Sequence, residues 1–227
     1  MKTSGKRAAA AFSIAAFAII VNLPGAGAAT VEHDHDEHHG PPPAHQSSRI
    51  EATQLGIYLF IISEVMLFGA FFTAYFFIRV VNGSEWPAPG TELPVVIAGI
   101  NTAILISSSG TIHWALVSVK NENRAGLRAG VLTTFLLGLT FLIVQVNEYV
   151  HIGFAPGDHA QGTIFYSLTG LHGAHVAVGL ILLGMATVRA FRGHFSAEQH
   201  RGLEVPGIYW HFVDVMWIVV YTTIYIL

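Results

Sequence analysis

A glutamate stands inside an otherwise apolar run, IISEVMLFG, with no basic residue one turn away: Glu64. A charge at the centre of a bilayer costs about 2.5–3.5 kcal/mol on insertion scales. A carboxyl here therefore calls either for a role in proton movement or gating, or for a plain hydrogen-bonded place in a helix core. His172 and His175, in LTGLHGAHVAVG, lie three residues apart and so share one face of a helix. Gly170, Gly173, Ala174 and Gly179 surround them and let a neighbouring helix approach closely. Two histidines at this spacing suit a metal or a haem, but such a site needs further ligands at similar depth. His113 and His211 fall near the ends of their segments, so a packed, hydrogen-bonded pair is the default expectation and no metal is assigned. His211 and Asp214 repeat the spacing in YWHFVDVMW. Asp214 lies too deep for its short side chain to reach water, and His211 is the nearest partner in sequence.

The remaining polar and aromatic residues read more simply. Glu148 and Asn147 stand at the end of their segment, where partial hydration makes them cheap. Trp86, Trp114, Trp210, Tyr209 and Tyr149 fall near expected membrane interfaces, as aromatic belts do, and are assigned no chemistry. With no cysteine in the chain, disulfides, iron–sulfur clusters and thiolate metal sites are excluded. There is no nucleotide loop and no nucleophile set beside a base. The inventory is too thin for an independent redox enzyme.

The elements that must position these groups follow from composition. Of 227 residues, 52% are hydrophobic and only 11% charged, less than half the roughly 25% of a soluble domain. That excludes a soluble globular enzyme, a disordered chain and a nucleic-acid binder, which would need a basic surface. Five stretches reach the ~20 residues needed to cross a bilayer: 55–80, 93–118, 129–150, 163–188 and 204–227. All must be helices, because lipid leaves no partner for an open strand edge. The expected fold is an all-α, polytopic bundle of five transmembrane helices. Loops 81–92 and 151–162 carry no Lys or Arg, whereas 119–128 holds Lys120, Arg124 and Arg128, and 189–203 holds Arg189, Arg192 and Arg201. The positive-inside rule then starts the first helix on the cytoplasmic side and leaves the C-terminus outside. Depth along these helices, at about 1.5 Å per residue, puts Glu64 ~14 Å from the inner face, His175 ~20 Å and His172 ~24 Å. Glu64 is therefore expected to pair with His175.

The N-terminus fits this map poorly. Met1–Arg7 is basic, Ala8–Leu23 apolar, and Ala26-Gly27-Ala28 resembles a cleavage site. Segment 1–28 is thus a secretory signal, an interfacial stretch or the product of a mis-set start. Residues 29–50 form a His- and Pro-rich tail expected to be disordered. Its His33, His35, His38 and His39 offer loose capture of a divalent metal, with a solvated tail as the default. The membrane domain is 51–227.

Four stretches carry a family resemblance: LGIYLFIISEVMLFGAFFTAYFFIR (55–79), NTAILISSSGTIHWA (101–115), FYSLTGLHGAHVAVGLI (165–181) and YWHFVDVMWIVVYTTIYIL (209–227). In this order they resemble subunit III of haem–copper cytochrome c oxidases, in its five-helix bacterial form, which lacks the first two of the family's seven helices. The resemblance implies a multi-pass subunit of the bacterial cell membrane with no redox centre or cofactor of its own. It would pack on a catalytic subunit I holding haems and copper, beside a copper-bearing subunit II. Electrons from cytochrome c then reduce oxygen while protons are pumped, and subunit III stabilises the catalytic subunit and supports proton uptake. On the resemblance, Glu64 matches the family's membrane carboxylate and His172 with His175 its HGxH motif. Arg189, with Arg192 beside it, would take the head groups of structural phospholipids.

Two related alternatives are a quinol oxidase subunit III, whose acidic residue and neighbours differ from Ser63-Glu64-Val65, and a shorter nitric-oxide-reductase-associated homologue. A stand-alone transporter or channel is disfavoured by the absence of internal repeats and pore charges.

Overall fold

The computed structural model describes residues 52–227 apart from 84, 85, 89, 90, 92 and 198. The expected signal-like segment 1–28 and the tail 29–50 lie outside the described residues. Five helices follow one another: α1 (Ala52–Val81), α2 (Val95–Lys120), α3 (Arg124–His151), α4 (Ala160–Phe191) and α5 (Arg201–Tyr221). A single π-helical turn, Thr222–Ile226, continues α5. By length and composition all five are able to cross a membrane, and no strand occurs among the described residues. The bounds agree with the five apolar stretches to within a few residues, except that α3 begins at Arg124 rather than 129, so the basic loop after α2 shrinks to Asn121–Asn123. Asn123 caps α3 by accepting from the Gly126 N–H, a usual N-cap role. His159 caps α4 in the same way through Nδ1, at 2.8 Å from the Gly162 nitrogen.

Helices α2, α3, α4 and α5 each pack on two neighbours in a closed ring, and α1 lies outside it against α4 and α5. The ring closes around large aromatic side chains, with Trp210, Trp217, Phe141 and Phe165 fully buried. Trp210 occupies a slot made by two glycines. A Cβ on Gly138 of α3 would lie 2.4 Å from its Cη2, and one on Gly179 of α4 would lie 2.8 Å from its Cε3. Apolar burial alone does not orient an indole, and both ring nitrogens are tied to α2: Trp210 Nε1 donates to Ser108 Oγ at 2.8 Å and Trp217 Nε1 to Thr102 Oγ1 at 2.9 Å. The outward face of α1 is strongly apolar and uncovered, with Met66 73% and Phe77 68% exposed.

This packing corrects the aromatic-belt reading for three of the five residues. Trp210 and Tyr209 are core anchors, and Tyr149 is partly buried with its hydroxyl 2.8 Å from Thr169 Oγ1. Trp114 remains exposed. The belt expectation failed because depth along a helix does not reveal which way a side chain faces.

Candidate functional site

Several ionisable side chains within the spans lie in seams between helices. The first seam joins α1 to α4. Glu64 Oε2 lies 2.8 Å from His175 Nε2, with the two side chains only 17% and 13% exposed. His175 Nδ1 lies 2.8 Å from the Leu171 carbonyl oxygen. A carbonyl only accepts, so Nδ1 carries a hydrogen and donates it. Nε2 then meets Glu64 in one of two arrangements with the same heavy atoms: a carboxylic acid donating to the imidazole, or an imidazolium donating to a carboxylate. Either satisfies both groups in a water-poor seam. The Phe68 ring packs 5.1 Å from the imidazole, and Tyr209 OH donates to the His175 carbonyl at 3.2 Å. Glu64 thus meets His175 rather than His172, as their depths along the helices predict.

His172 departs from the expected hydrogen-bonded pair. It is fully buried, 4.7 Å from the Trp217 ring and 5.8 Å from the Phe141 ring between centroids, and neither of its nitrogens has a hydrogen-bond partner. Three residues of helix fall about 60° short of a full turn. Because α1 lies on one side of α4 and the ring of helices on the other, that angle sends His175 outward to Glu64 and His172 inward.

Asp214 and His211 do not pair directly either. Ser109 of α2 stands between them, donating its hydrogen to Asp214 Oδ2 while its oxygen lies 3.0 Å from His211 Nδ1. A hydroxyl has one hydrogen, so the Ser109 oxygen accepts from the histidine. The carboxyl bonds the serine rather than orienting the histidine from behind, so this is not the arrangement of a nucleophile with its base. Sequence reasoning missed Ser109, Ser108 and Thr102. The signal was present in the pair Ser108-Ser109, small hydroxyls within an apolar helix.

Glu148 also departs from its expected hydrated position. It is buried, and Tyr225 OH donates to its Oε1 at 2.5 Å. Tyr225 in turn lines a cavity of about 330 Å³ at the Leu227 end of the bundle, together with Tyr75, Arg79, Trp86, Gln161 and Phe165. At the opposite end, Arg189 lies over the Phe195 ring at 5.3 Å, Arg128 Nε donates to the Ala190 carbonyl at 3.3 Å, and Arg192 is exposed. Glu204 there meets both Lys120, at 3.6 Å, and His200, at 3.1 Å. Among the described residues no group of three or more His, Asp or Glu side chains is arranged to hold a metal ion.

Fold and seams together define a multi-pass helical membrane protein in which Glu64, Glu148 and Asp214 each bond a side chain of another element. The family model described as "Cytochrome c oxidase subunit III" matches residues 36–227, and the chain belongs to that family. It is 41% identical over 174 residues to "Cytochrome c oxidase subunit 3" of Thermostichus vulcanus, covering 76% of this chain and 86% of the relative. The protein of the same name from Synechocystis sp. is 38% identical over 192 residues, covering 84% and 78%. That from Homo sapiens is 36% identical over 202 residues, covering 86% and 75%.

Proposed function

We infer that this chain is the non-redox subunit III of a terminal oxidase that carries electrons from cytochrome c to oxygen. It sits in a bacterial cell membrane against a catalytic subunit I with haems and copper, beside a copper-bearing subunit II. The observation that carries the reading is the family match over residues 36–227, with Glu64 and His175 of the family's motifs meeting across one seam. The uncovered apolar face of α1 suits a partner subunit or lipid. Arg189 and Arg192, with Arg128 near them, suit phospholipid head groups. The chain's own part is then mechanical and protective: it holds a packed, lipid-bearing wall beside the catalytic subunit and supports proton uptake there. The oxygen chemistry is the partner's.

Purification on a tag carried by this chain tests the reading. Co-elution with haem-bearing and copper-bearing subunits and cytochrome c oxidase activity is expected, with no haem absorbance from the chain expressed alone. A chain that elutes alone and transports a solute, or one that binds haem in stoichiometric amount by itself, overturns it.

A further inference from the structure

Eight buried side-chain polar atoms among the described residues have no hydrogen-bond partner, and six of them belong to four residues of α2, α3 and α4. They are Asn101 Oδ1, Gln145 Nε2 and Oε1, Glu148 Oε2, and both nitrogens of His172. All four residues are buried, Asn101, Gln145 and His172 to 1% exposure or less. Their closeness follows from contacts that bracket them. Asn101 Nδ2 donates to the Phe141 carbonyl at 3.1 Å, and the Phe141 ring lies 5.8 Å from His172. One turn along α3 from Phe141 comes Gln145, whose amide is near the hydroxyls of Tyr149 and Tyr225. Tyr225 bonds Glu148, and its ring lies 6.5 Å from Trp217, which packs on His172.

Buried polar groups in folded proteins are almost always paired, by protein or by ordered water. Six orphans in one place would together offset much of the stability of an ordinary domain. We propose that Asn101, Gln145, Glu148 and His172 form an internal water-binding site, reached from the cavity at the Leu227 end past the Tyr225 side chain. A buried water makes roughly three hydrogen bonds, so about two waters satisfy the six atoms. The donor set favours water over a cation. The Gln145 amide nitrogen is a donor, and a neutral imidazole presents one donor and one acceptor; a cation would be repelled by both donors, whereas water meets donors and acceptors alike. Tyr225 is placed as the entrance, since it lines the cavity on one side and bonds Glu148 on the other. The site joins two titratable groups on different helices, Glu148 and His172, through exchangeable hydrogen bonds.

Hydroxyl-radical footprinting by X-ray radiolysis of the intact oxidase complex tests this, because bound water generates radicals where it sits. Trp217 and Trp210 are both fully buried with their ring nitrogens bonded, but of the two it is Trp217 whose ring packs on a residue of this site, His172. Trp217 is expected to be modified several-fold faster than Trp210, and the difference is expected to collapse in Gln145→Leu with the haem spectrum unchanged. Equal rates in the unaltered complex overturn the proposal. A high-resolution map of that complex gives a second measurement independent of any variant. Density for water bonded to Gln145 and His172 supports the site. A direct Gln145–His172 bond, or both side chains left dry, refutes it.

Discussion

Removing Glu64 is expected to loosen α1 from the bundle by an amount the geometry sets. Glu64→Ala strips one hydrogen bond and leaves His175 Nε2 facing apolar side chains, while the Nδ1 bond to Leu171 survives. Leaving one buried partner unsatisfied costs about 1–3 kcal/mol. His175→Ala removes the same bond and also the ring packed on Phe68, so it costs somewhat more. In the double variant neither group is left orphaned. The coupling energy is therefore about 1–3 kcal/mol, and each 1.4 kcal/mol is tenfold. The assay is the rate at which this chain is lost from the detergent-solubilised complex at a fixed temperature. Each single variant should lose the chain on the order of tenfold faster, and the double should lose it no faster than His175→Ala alone. Turnover of a fresh sample should survive all three changes, because the proposed function assigns the oxygen chemistry to a partner subunit. Strictly additive effects, or immediate loss of turnover with the chain still bound, would refute the reasoning.

Three further outcomes follow from the seams and from the charge pattern. Gly138→Ala drives a methyl into the Trp210 ring and should cost about 1–3 kcal/mol; Gly56→Ala meets nothing within 4 Å and should leave the thermal midpoint of the complex unmoved. Equal midpoints for the two would discredit the glycine slot. Ser109→Ala leaves Asp214 and His211 without their shared hydroxyl, and a thermal midpoint lowered by about 1–3 kcal/mol of destabilisation is expected. Cysteine accessibility in whole cells should place residues after Tyr221 outside and Asn121–Asn123 inside, because Lys120, Arg124 and Arg128 cluster at the latter turn. A reversed pattern would overturn the orientation.

Much of the fold was legible because lipid narrows the choices. An apolar run of membrane length has only one backbone solution, and hydrophobicity is a property of the segment rather than of its neighbours. Depth is similarly linear in residue number, so residue position along the helices suffices to match Glu64 with His175. Azimuth is different. His172, Asp214 and Glu148 each sit at a readable depth, yet their partners depend on which helix faces them. Nothing along one strand of sequence reports the rotation of five helices about their own axes.

The amino-acid sequence by itself determined the membrane setting, the five spans, the family resemblance and the pairing of one carboxyl with one imidazole across the bilayer interior. Only the tertiary structure decided that α1 stands outside a ring of four, that Trp210 fills a slot between Gly138 and Gly179, and that Ser109 separates Asp214 from His211. It also turned His172 and Gln145 inward with their polar atoms unpaired. The physical reason is that burial in a bilayer is set by each helix's own composition, whereas close contact is set by shape and hydrogen bonding between helices.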